Sequence, residues 1–85
     1  MSWGIRVSKR ALRDLAALNV EDRNAIEAAL RRLANNPSQA DLRKLQGGRG
    51  WRLRVGNWRV IVDLDNAGGT ITVGRVLNRR DAYRG

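Results

Sequence analysis

The spacing of hydrophobic residues changes once along the chain, from a helical period to a strand period. In the first half, apolar residues recur every three or four positions in two successive sets: Ala11, Leu12, Leu15 and Leu18, then Ile26, Ala29, Leu30 and Leu33. This spacing is typical of amphipathic helices. From residue 51 onward, apolar and charged residues alternate, which is typical of strands with one buried face. The pattern therefore predicts a helical segment followed by a sheet-forming segment.

Local signals set the boundaries of the predicted helices. Residues 3–7 are predicted as a short first strand. Ser8 is suited to cap a helix that runs to Leu18, and Asn19 is suited to cap a second helix, with Asp22 three residues further on. The run Asn-Asn-Pro at residues 35–37 ends that helix. Since the break between the two helices is so short, they are predicted to form a helical hairpin.

Residues 38–50 are predicted as a connection between the helices and the sheet. They end in a glycine-rich run, Gly47, Gly48, Arg49 and Gly50. Such a run can cradle a phosphate, but this one lacks the Lys-Ser/Thr pair of a P-loop. A flexible loop is therefore the favoured interpretation.

Two turns divide the rest of the chain into three strands. Gly56-Asn57 is a two-residue turn with glycine first, as in type II′. Residues 66–69 form a second turn, and residues 70–77 are predicted as the last strand. The predicted fold class is α+β, with an N-terminal strand, a helical hairpin and a three-stranded antiparallel meander whose helices lie on one face of the sheet. The 85 residues fit a single domain, residues 1–85.

The turn at Gly56-Asn57 also specifies the register of the hairpin. The predicted cross-strand pairs are Val55 with Trp58, Arg54 with Arg59, Leu53 with Val60, Arg52 with Ile61 and Trp51 with Val62. All the apolar pairs then share one face, and a slip of one residue would scramble this arrangement. Trp51 and Trp58 are therefore predicted in the core, whereas the position of Trp3 is left open.

Three arginines, Arg52, Arg54 and Arg59, share the opposite face in this register. Arg54 directly opposite Arg59 is a repulsive pair that costs roughly 0.2–1 kcal/mol. An anion bound between the two would turn this repulsion into attraction. We therefore predict an anion site on the solvent face, with neither Arg54 nor Arg59 needed for the core. The alternative is that acids balance this face, and the candidates are Asp63, Asp65 and Asp81.

Charge is the strongest signal in the composition. Lys and Arg number 17 against 8 Asp and Glu, a net charge of +9, and all the basic residues except Lys9 and Lys44 are arginine. Arginine makes bidentate contacts to phosphate and stacks on bases. A basic surplus of this size indicates nucleic acid or an acidic protein partner, although a merely solvated basic surface is the plainer alternative.

The residue types that are missing exclude several kinds of chemistry. With no cysteine there is no disulfide framework and no thiolate metal site, and with no histidine the commonest general base and zinc ligand is absent. No metal or cofactor is therefore expected. No apolar run is long enough to span a membrane, and the N-terminus lacks the apolar core of a signal peptide, so we expect a cytoplasmic protein.

The C-terminal tail follows the last predicted strand directly. Arg79, Arg80 and Arg84 add positive charge, and Tyr83 is the only tyrosine. A tyrosine here can stack on a base, which is worth about 1–3 kcal/mol per base, or bind a ribose hydroxyl. It can equally anchor the tail against the sheet, and the residues alone leave both interpretations open.

Taken together, these motifs resemble the RelE/ParE superfamily of toxins over nearly the whole chain. The residues that carry the resemblance are the runs Lys44-Leu45-Gln46-Gly47, Trp51-Arg52-Leu53-Arg54-Val55, Trp58-Arg59-Val60-Ile61-Val62 and Asn78-Arg79-Arg80-Asp81-Ala82-Tyr83. The final run is the most specific of the four. RelE-like members are ribosome-dependent endoribonucleases that cut messenger RNA, whereas ParE-like members share the fold and poison DNA gyrase.

The resemblance implies a set of roles by position. Arg54, Arg59, Arg79 and Tyr83 are implied as catalytic, and the implied RNA-binding residues are Arg52, Arg49, Arg80 and Lys44. It also implies a cognate antitoxin, with which the toxin would form a hetero-oligomer, and a ribosome carrying messenger RNA as target. The favoured hypothesis is a metal-independent endoribonuclease. A gyrase inhibitor without nuclease activity and a plain nucleic-acid-binding module are the alternatives.

Overall fold

The computed structural model describes residues 3–45 and 50–82, and it shows an α+β fold. Its elements follow one another as β1 (Gly4–Val7), α1 (Lys9–Ala16), α2 (Val20–Asn35), a 3₁₀ turn (Pro37–Gln39), β2 (Leu42–Lys44), β3 (Trp51–Val55), β4 (Trp58–Asp65), β5 (Thr70–Asn78) and α3 (Arg79–Ala82). The predicted order of strand, helical hairpin and antiparallel meander is confirmed. The structure adds β2 and α3 to it.

Both predicted helix caps are confirmed. The Ser8 hydroxyl accepts a hydrogen bond from the backbone N–H of Ala11 at 3.1 Å, and the Asn19 side chain accepts one from the backbone N–H of Asp22 at 2.8 Å. Each bond satisfies a donor of the first helical turn that has no partner within the helix. None of the helices in the described part of the chain is long and apolar enough to cross a membrane.

The five strands form one sheet in the order β1-β5-β4-β3-β2. β1 pairs with β5 in parallel, and the other neighbours are antiparallel. The prediction of a plain connection over residues 38–50 was wrong in part, because β2 pairs with β3 along the sheet edge. A strand of three residues is too short to show a two-residue period in the sequence. β2 is therefore recognised only by its pairing with β3.

The β3–β4 hairpin has the predicted register at all five cross-strand pairs. Gly56 adopts a φ of 58°, while Asn57 has a negative φ, as a type II′ turn requires. The register shifts between Ile61 and Val62 against β5, where Gly74 is the extra residue. Turn chemistry and face alternation therefore sufficed to predict this hairpin.

The core lies between the helices and one face of the sheet. Its fully buried side chains are Ile26, Leu33, Val60, Val62, Ile71 and Val73. Trp51 and Trp58 pack against this core as predicted, and so does Trp3. The predicted apolar face of α1 was wrong at Leu12, which is 54% exposed, because the buried residues of this short helix are Ala11 and Leu15.

Asp14 of α1 accepts hydrogen bonds from the part of β5 that does not pair with β1. The pairing of β1 with β5 ends at Val73. Beyond that point the Asp14 carboxylate accepts hydrogen bonds from the backbone N–H of Val76 at 2.8 Å and from Arg75 Nε at 2.9 Å. Burial raises the pKa of Asp14, but the bonds from Arg75 and Val76 and the charges of Arg75 and Arg10 outweigh it, so the pKa lies below its ordinary value. The carboxylate therefore stabilises the fold in its ionised form.

Replacing Asp14 with alanine is expected to lower the free energy of unfolding by about 1–3 kcal/mol at neutral pH, because a backbone N–H and a guanidinium lose their acceptor. Since the folded-state pKa is lowered, this stabilisation is complete above the unfolded value of about 3.9 and is lost as the pH falls through the folded value. Urea unfolding of the parent and of Asp14→Ala, at pH 7 and in acid, measures this stabilisation. Glu27→Ala, at an exposed position of α2, is the control. A difference between Asp14→Ala and the parent that is the same at both pH values would contradict this role.

Candidate functional site

Four arginines converge in a cleft on the sheet face opposite the helices. The cleft has a volume of about 230 Å³, and its lining residues are Asp41, Arg43, Arg52, Arg54 and Arg59. We call it the arginine cleft. It contains three of the residues predicted from the sequence, together with Arg43 and Asp41, which the sequence analysis missed.

Strand register explains why these arginines share one face. Arg54 pairs with Arg59 across β3 and β4, and Arg43 pairs with Arg52 across β2 and β3. Residues that pair in an antiparallel ladder point to the same side of the sheet. Arg43 was missed because β2 was not predicted. Only the structure reveals its place, directly after Leu42, which pairs with the buried Leu53.

Arg54 is the exposed member of its cross-strand pair. Its Nε lies 2.9 Å from Oδ2 of Asp41, and the two side chains are 63% and 46% exposed. The backbone N–H of Arg54 also donates to the carbonyl of Asp41 at 3.2 Å. The acid beside Arg54 is Asp41 and not one of the predicted candidates, which were Asp63, Asp65 and Asp81.

Arg59 lies in the predicted register, but the prediction that it is exposed and unnecessary for the fold was wrong. Only 4% of the residue is accessible to solvent. Its Nη1 donates to the carbonyls of Gly56 and Trp58, both at 2.9 Å. The side chain is long enough to fold back onto the turn that precedes its own strand, and alternation along a strand cannot reveal that. Arg59 therefore stabilises the β3–β4 turn as well as lining the cleft.

A second basic pocket lies at the same turn. It has a volume of about 540 Å³, and its lining residues are Asn57, Asn78, Arg79 and Arg80. The backbone N–H of Arg79 donates to the carbonyl of Asn57 at 2.8 Å, and that of Arg80 donates to Oδ1 of Asn78 at 3.2 Å. Since Arg59 binds Gly56 and Arg79 binds Asn57, the turn connects the arginine cleft to this second pocket.

The remaining predicted residues fall outside these two pockets. Lys44 pairs with Trp51, so by alternation it lies on the side of the sheet opposite Arg43, and it does not line the arginine cleft. Arg49 and Tyr83 lie outside the described residues. The structure therefore brings together Arg52, Arg54 and Arg59, places Arg79 and Arg80 beside them, and separates Lys44.

This arrangement is suited to binding the phosphates of a polyanion. Arginine guanidiniums keep their charge at every physiological pH and bind phosphate oxygens through two parallel hydrogen bonds. They can stabilise charge that develops on a phosphate, but they are poor general bases. Among the described residues that line the arginine cleft, only Asp41 is acidic.

Comparison with known proteins shows the family of the chain. Residues 5–83 match the family model of the ParE toxin of type II toxin–antitoxin systems. A comparison with curated proteins gave no significant match.

Solved structures share the fold at low sequence identity. The RelBE2 toxin–antitoxin complex of Mycobacterium tuberculosis contains a chain with a TM-score of 0.82 and 24% identity, and the match covers 93% of this chain and 100% of that one. The RelB–RelE complex of Methanococcus jannaschii gives 0.73 and 28%, covering 92% and 94%. The intact RelBE complex of E. coli gives 0.76 and 19%, covering 91% and 96%. With the family model matching almost its full length, the chain belongs to the ParE toxin family within the RelE/ParE superfamily and is a toxin of a type II toxin–antitoxin system.

Proposed function

We propose that this toxin is a ribosome-dependent endoribonuclease that cuts messenger RNA and so inhibits translation. The observation that carries the proposal is the arginine cleft, which lies on the face of the sheet that the core does not use, with the Arg79–Arg80 pocket at the adjoining β3–β4 turn. One RNA strand can contact both basic pockets at once, with its phosphates in the arginine cleft and the leaving oxygen toward Arg79. A single strand held in this way is constrained at both sides of one scissile bond.

The proposed reaction is attack of a ribose 2′-hydroxyl on the adjacent phosphorus, with release of a 5′-hydroxyl. Arg54 and Arg59 hold the reacting phosphate, and Arg52 binds the neighbouring one. Arg79 stabilises the leaving oxygen, and Tyr83 positions the ribose or the base. Such a step gains from charge stabilisation on the phosphate oxygens and from orientation of the nucleophile. Guanidiniums supply that charge, so the proposed mechanism uses no metal or cofactor.

Arg49, Arg80 and Lys44 are proposed as further RNA contacts. Lys44 lies apart from the two pockets, so its contact would be to a more distant part of the strand or to ribosomal RNA. Such contacts add affinity without sequence information and weaken as the salt concentration rises.

Dependence on the ribosome follows from the weak acid–base chemistry of the cleft. Proton transfer works best when the pKa of the catalytic group is near the working pH, and an arginine guanidinium keeps its proton far above that pH. The ribosome would supply the missing orientation of the strand. We place this activity in the cytoplasm and assign it to a single domain, residues 1–85.

A cognate antitoxin is the proposed protein partner. The similar structures from Mycobacterium tuberculosis, Methanococcus jannaschii and E. coli are complexes of a toxin with an antitoxin. A net charge of +9 favours an acidic or amphipathic partner segment that covers the arginine cleft. The resulting hetero-oligomer would stabilise the toxin fold by mass action.

A gyrase inhibitor without nuclease activity is the second candidate. It is favoured by one observation, which is that the matching family model is the ParE toxin. In that case the arginines would form a docking surface on the gyrase–DNA complex.

Purified toxin incubated with one messenger RNA, first naked and then on programmed ribosomes, tests the proposal. We expect new 5′ ends only on the ribosome-bound RNA, and loss of cleavage when the neighbouring gene product is added. Efficient cutting of naked RNA would contradict ribosome dependence. Intact messenger RNA together with blocked supercoiling in a parallel gyrase assay would favour the second candidate. Binding without either activity would leave a plain nucleic-acid-binding module.

A further inference from the structure

We propose that Asp41 is an exchangeable internal counter-ion of the arginine cleft. Its carboxylate holds Arg54 in the free protein and is replaced by an RNA phosphate when the substrate binds. Asp41 is in this sense a specificity-determining residue of the site. The proposal rests on the proposed function in one respect, which is that the incoming ligand is the backbone of single-stranded RNA.

The position of Asp41 in the arginine cleft supports the exchange. Asp41 is the acid in a cleft that otherwise has four arginines in its lining. Its Oδ2 lies 2.9 Å from Nε of Arg54, and its carbonyl accepts a hydrogen bond from the backbone N–H of Arg54 at 3.2 Å. The backbone contact keeps residue 41 beside β3 whichever way its side chain turns. The carboxylate therefore stays close enough to return to Arg54.

The exposure of the ion pair between Arg54 and Asp41 also supports the exchange. The side chains of Arg54 and Asp41 are 63% and 46% exposed, and ion pairs exposed to this extent contribute little to stability. A phosphate oxygen offers Arg54 an acceptor of the same kind, and a strand of RNA adds contacts to Arg43 and Arg52 that one carboxylate cannot make. A polyanion therefore displaces Asp41 more readily than a single small anion does.

The structure also provides a place for the displaced carboxylate. Asp41 and Arg54 line both the arginine cleft and a second cleft of about 390 Å³, which lies against the end of α2 and is distinct from the Arg79–Arg80 pocket. Arg32 lines this second cleft. A carboxylate that turns away from Arg54 therefore turns toward a cleft whose lining also contains a guanidinium.

The exchange explains how the free protein tolerates Arg54 opposite Arg59. Like charges directly opposite on a sheet destabilise it. Asp41 lowers that repulsion before RNA arrives, and the phosphate takes over this role when RNA binds. The same exchange reduces the affinity of the cleft for isolated anions, because each must compete with a tethered carboxylate.

A double-mutant cycle on RNA binding tests the proposal. The probe is a fluorescent eight-nucleotide oligouridylate with 2′-O-methyl groups, which cannot be cleaved, and affinity is measured by anisotropy. The proteins are the parent, Asp41→Asn, Arg54→Ala and the double variant. We expect Asp41→Asn to bind about three- to ten-fold more tightly than the parent, because Arg54 loses a competitor. In the Arg54→Ala background the same substitution should change affinity by less than about two-fold, because the competitor acts through Arg54.

Asp63→Asn is the matched control for charge alone. Asp63 is exposed on the same face of β4 by alternation and does not line the arginine cleft. We expect this variant to bind the probe within about two-fold of the parent, since it removes the same charge without freeing Arg54. Asp41→Ser gives an independent form of the test if Asp41→Asn does not fold.

Three results would overturn the proposal. One is an equal gain from Asp41→Asn with and without Arg54, which would make the effect one of net charge. Another is a loss of affinity in Asp41→Asn, which would make Asp41 a fixed positioning residue. The third is absence of probe binding in every variant. Because the probe cannot be cleaved, a protein that completes the cycle as expected but leaves messenger RNA intact would refute the nuclease proposal alone.

Discussion

Replacing Arg59 with alanine is expected to destabilise the domain and to slow messenger RNA cleavage strongly. The variant loses two hydrogen bonds to the carbonyls of Gly56 and Trp58 from a side chain that is almost completely buried. Losses of this kind cost about 1–3 kcal/mol, which lowers the Tm of a domain of this size by about 5–20 °C. Loss of the phosphate contact should lower the single-turnover rate by about 10²–10³-fold. Thermal unfolding by circular dichroism and ribosome-dependent cleavage, measured at a temperature where the variant is folded, give the two values.

Arg54→Ala is the matched control, because Arg54 occupies the partner position in the same register and is exposed. We expect it to reduce cleavage while leaving the Tm within a few degrees of the parent. Arg59→Lys should recover part of both properties, since lysine keeps the charge but not the planar fork. An unchanged Tm in Arg59→Ala would show that the buried contacts are unimportant. Full cleavage by both alanine variants would remove the arginine cleft from the mechanism.

Replacing Arg79 with alanine is expected to slow the chemical step and to leave the fold intact. The side chain is exposed, and the contact to Asn57 uses the backbone N–H, which alanine retains. If Arg79 stabilises the leaving oxygen, the single-turnover rate should fall by about 10²–10³-fold while affinity for the programmed ribosome changes much less. Rapid-quench cleavage with saturating toxin measures the rate, and co-sedimentation with ribosomes measures the affinity.

Two other arginines serve as controls for Arg79. Arg80 lines the same pocket, so Arg80→Ala should weaken ribosome binding more than it slows cleavage. Arg31 is an exposed residue of α2, and Arg31→Ala should change neither value by more than about two-fold. Equal effects of Arg79→Ala and Arg31→Ala would mean that Arg79 contributes only to the net positive charge. A fall in affinity with an unchanged rate would make Arg79 a binding residue.

The Arg59 result bears on how the two basic pockets cooperate. Arg59 holds Gly56, and Arg79 holds Asn57, so one two-residue turn separates the proposed phosphate contact from the proposed leaving-group contact. A change in the geometry of this turn would therefore move both groups together. Under the proposed mechanism, Arg59 would position Arg79 as well as contact the phosphate.

Local sequence signals determined the elements whose contacts are close in the chain. Ser8 and Asn19 cap helices through bonds to residues only three positions away. The register of β3 and β4 follows from a two-residue turn and from the need to bury every apolar partner on one side. These features were predictable because each depends on a side chain and its near neighbours, and because the alternative register would expose the core.

Tertiary structure alone decided which charges are buried and which acid serves the site. The pairing of β1 with β5 and the contact of Asp14 with Arg75 join residues more than sixty positions apart, and no local period encodes them. The alternation of apolar and polar residues along β4 predicted the correct face for Arg59. It did not predict the burial of this residue, because a long side chain can fold back onto a turn. Asp41 lies beside Arg54 because the short edge strand β2, which follows it, pairs with β3. The sequence by itself therefore determined the face on which the arginines gather, and the packing of the fold determined the separate environment of each one.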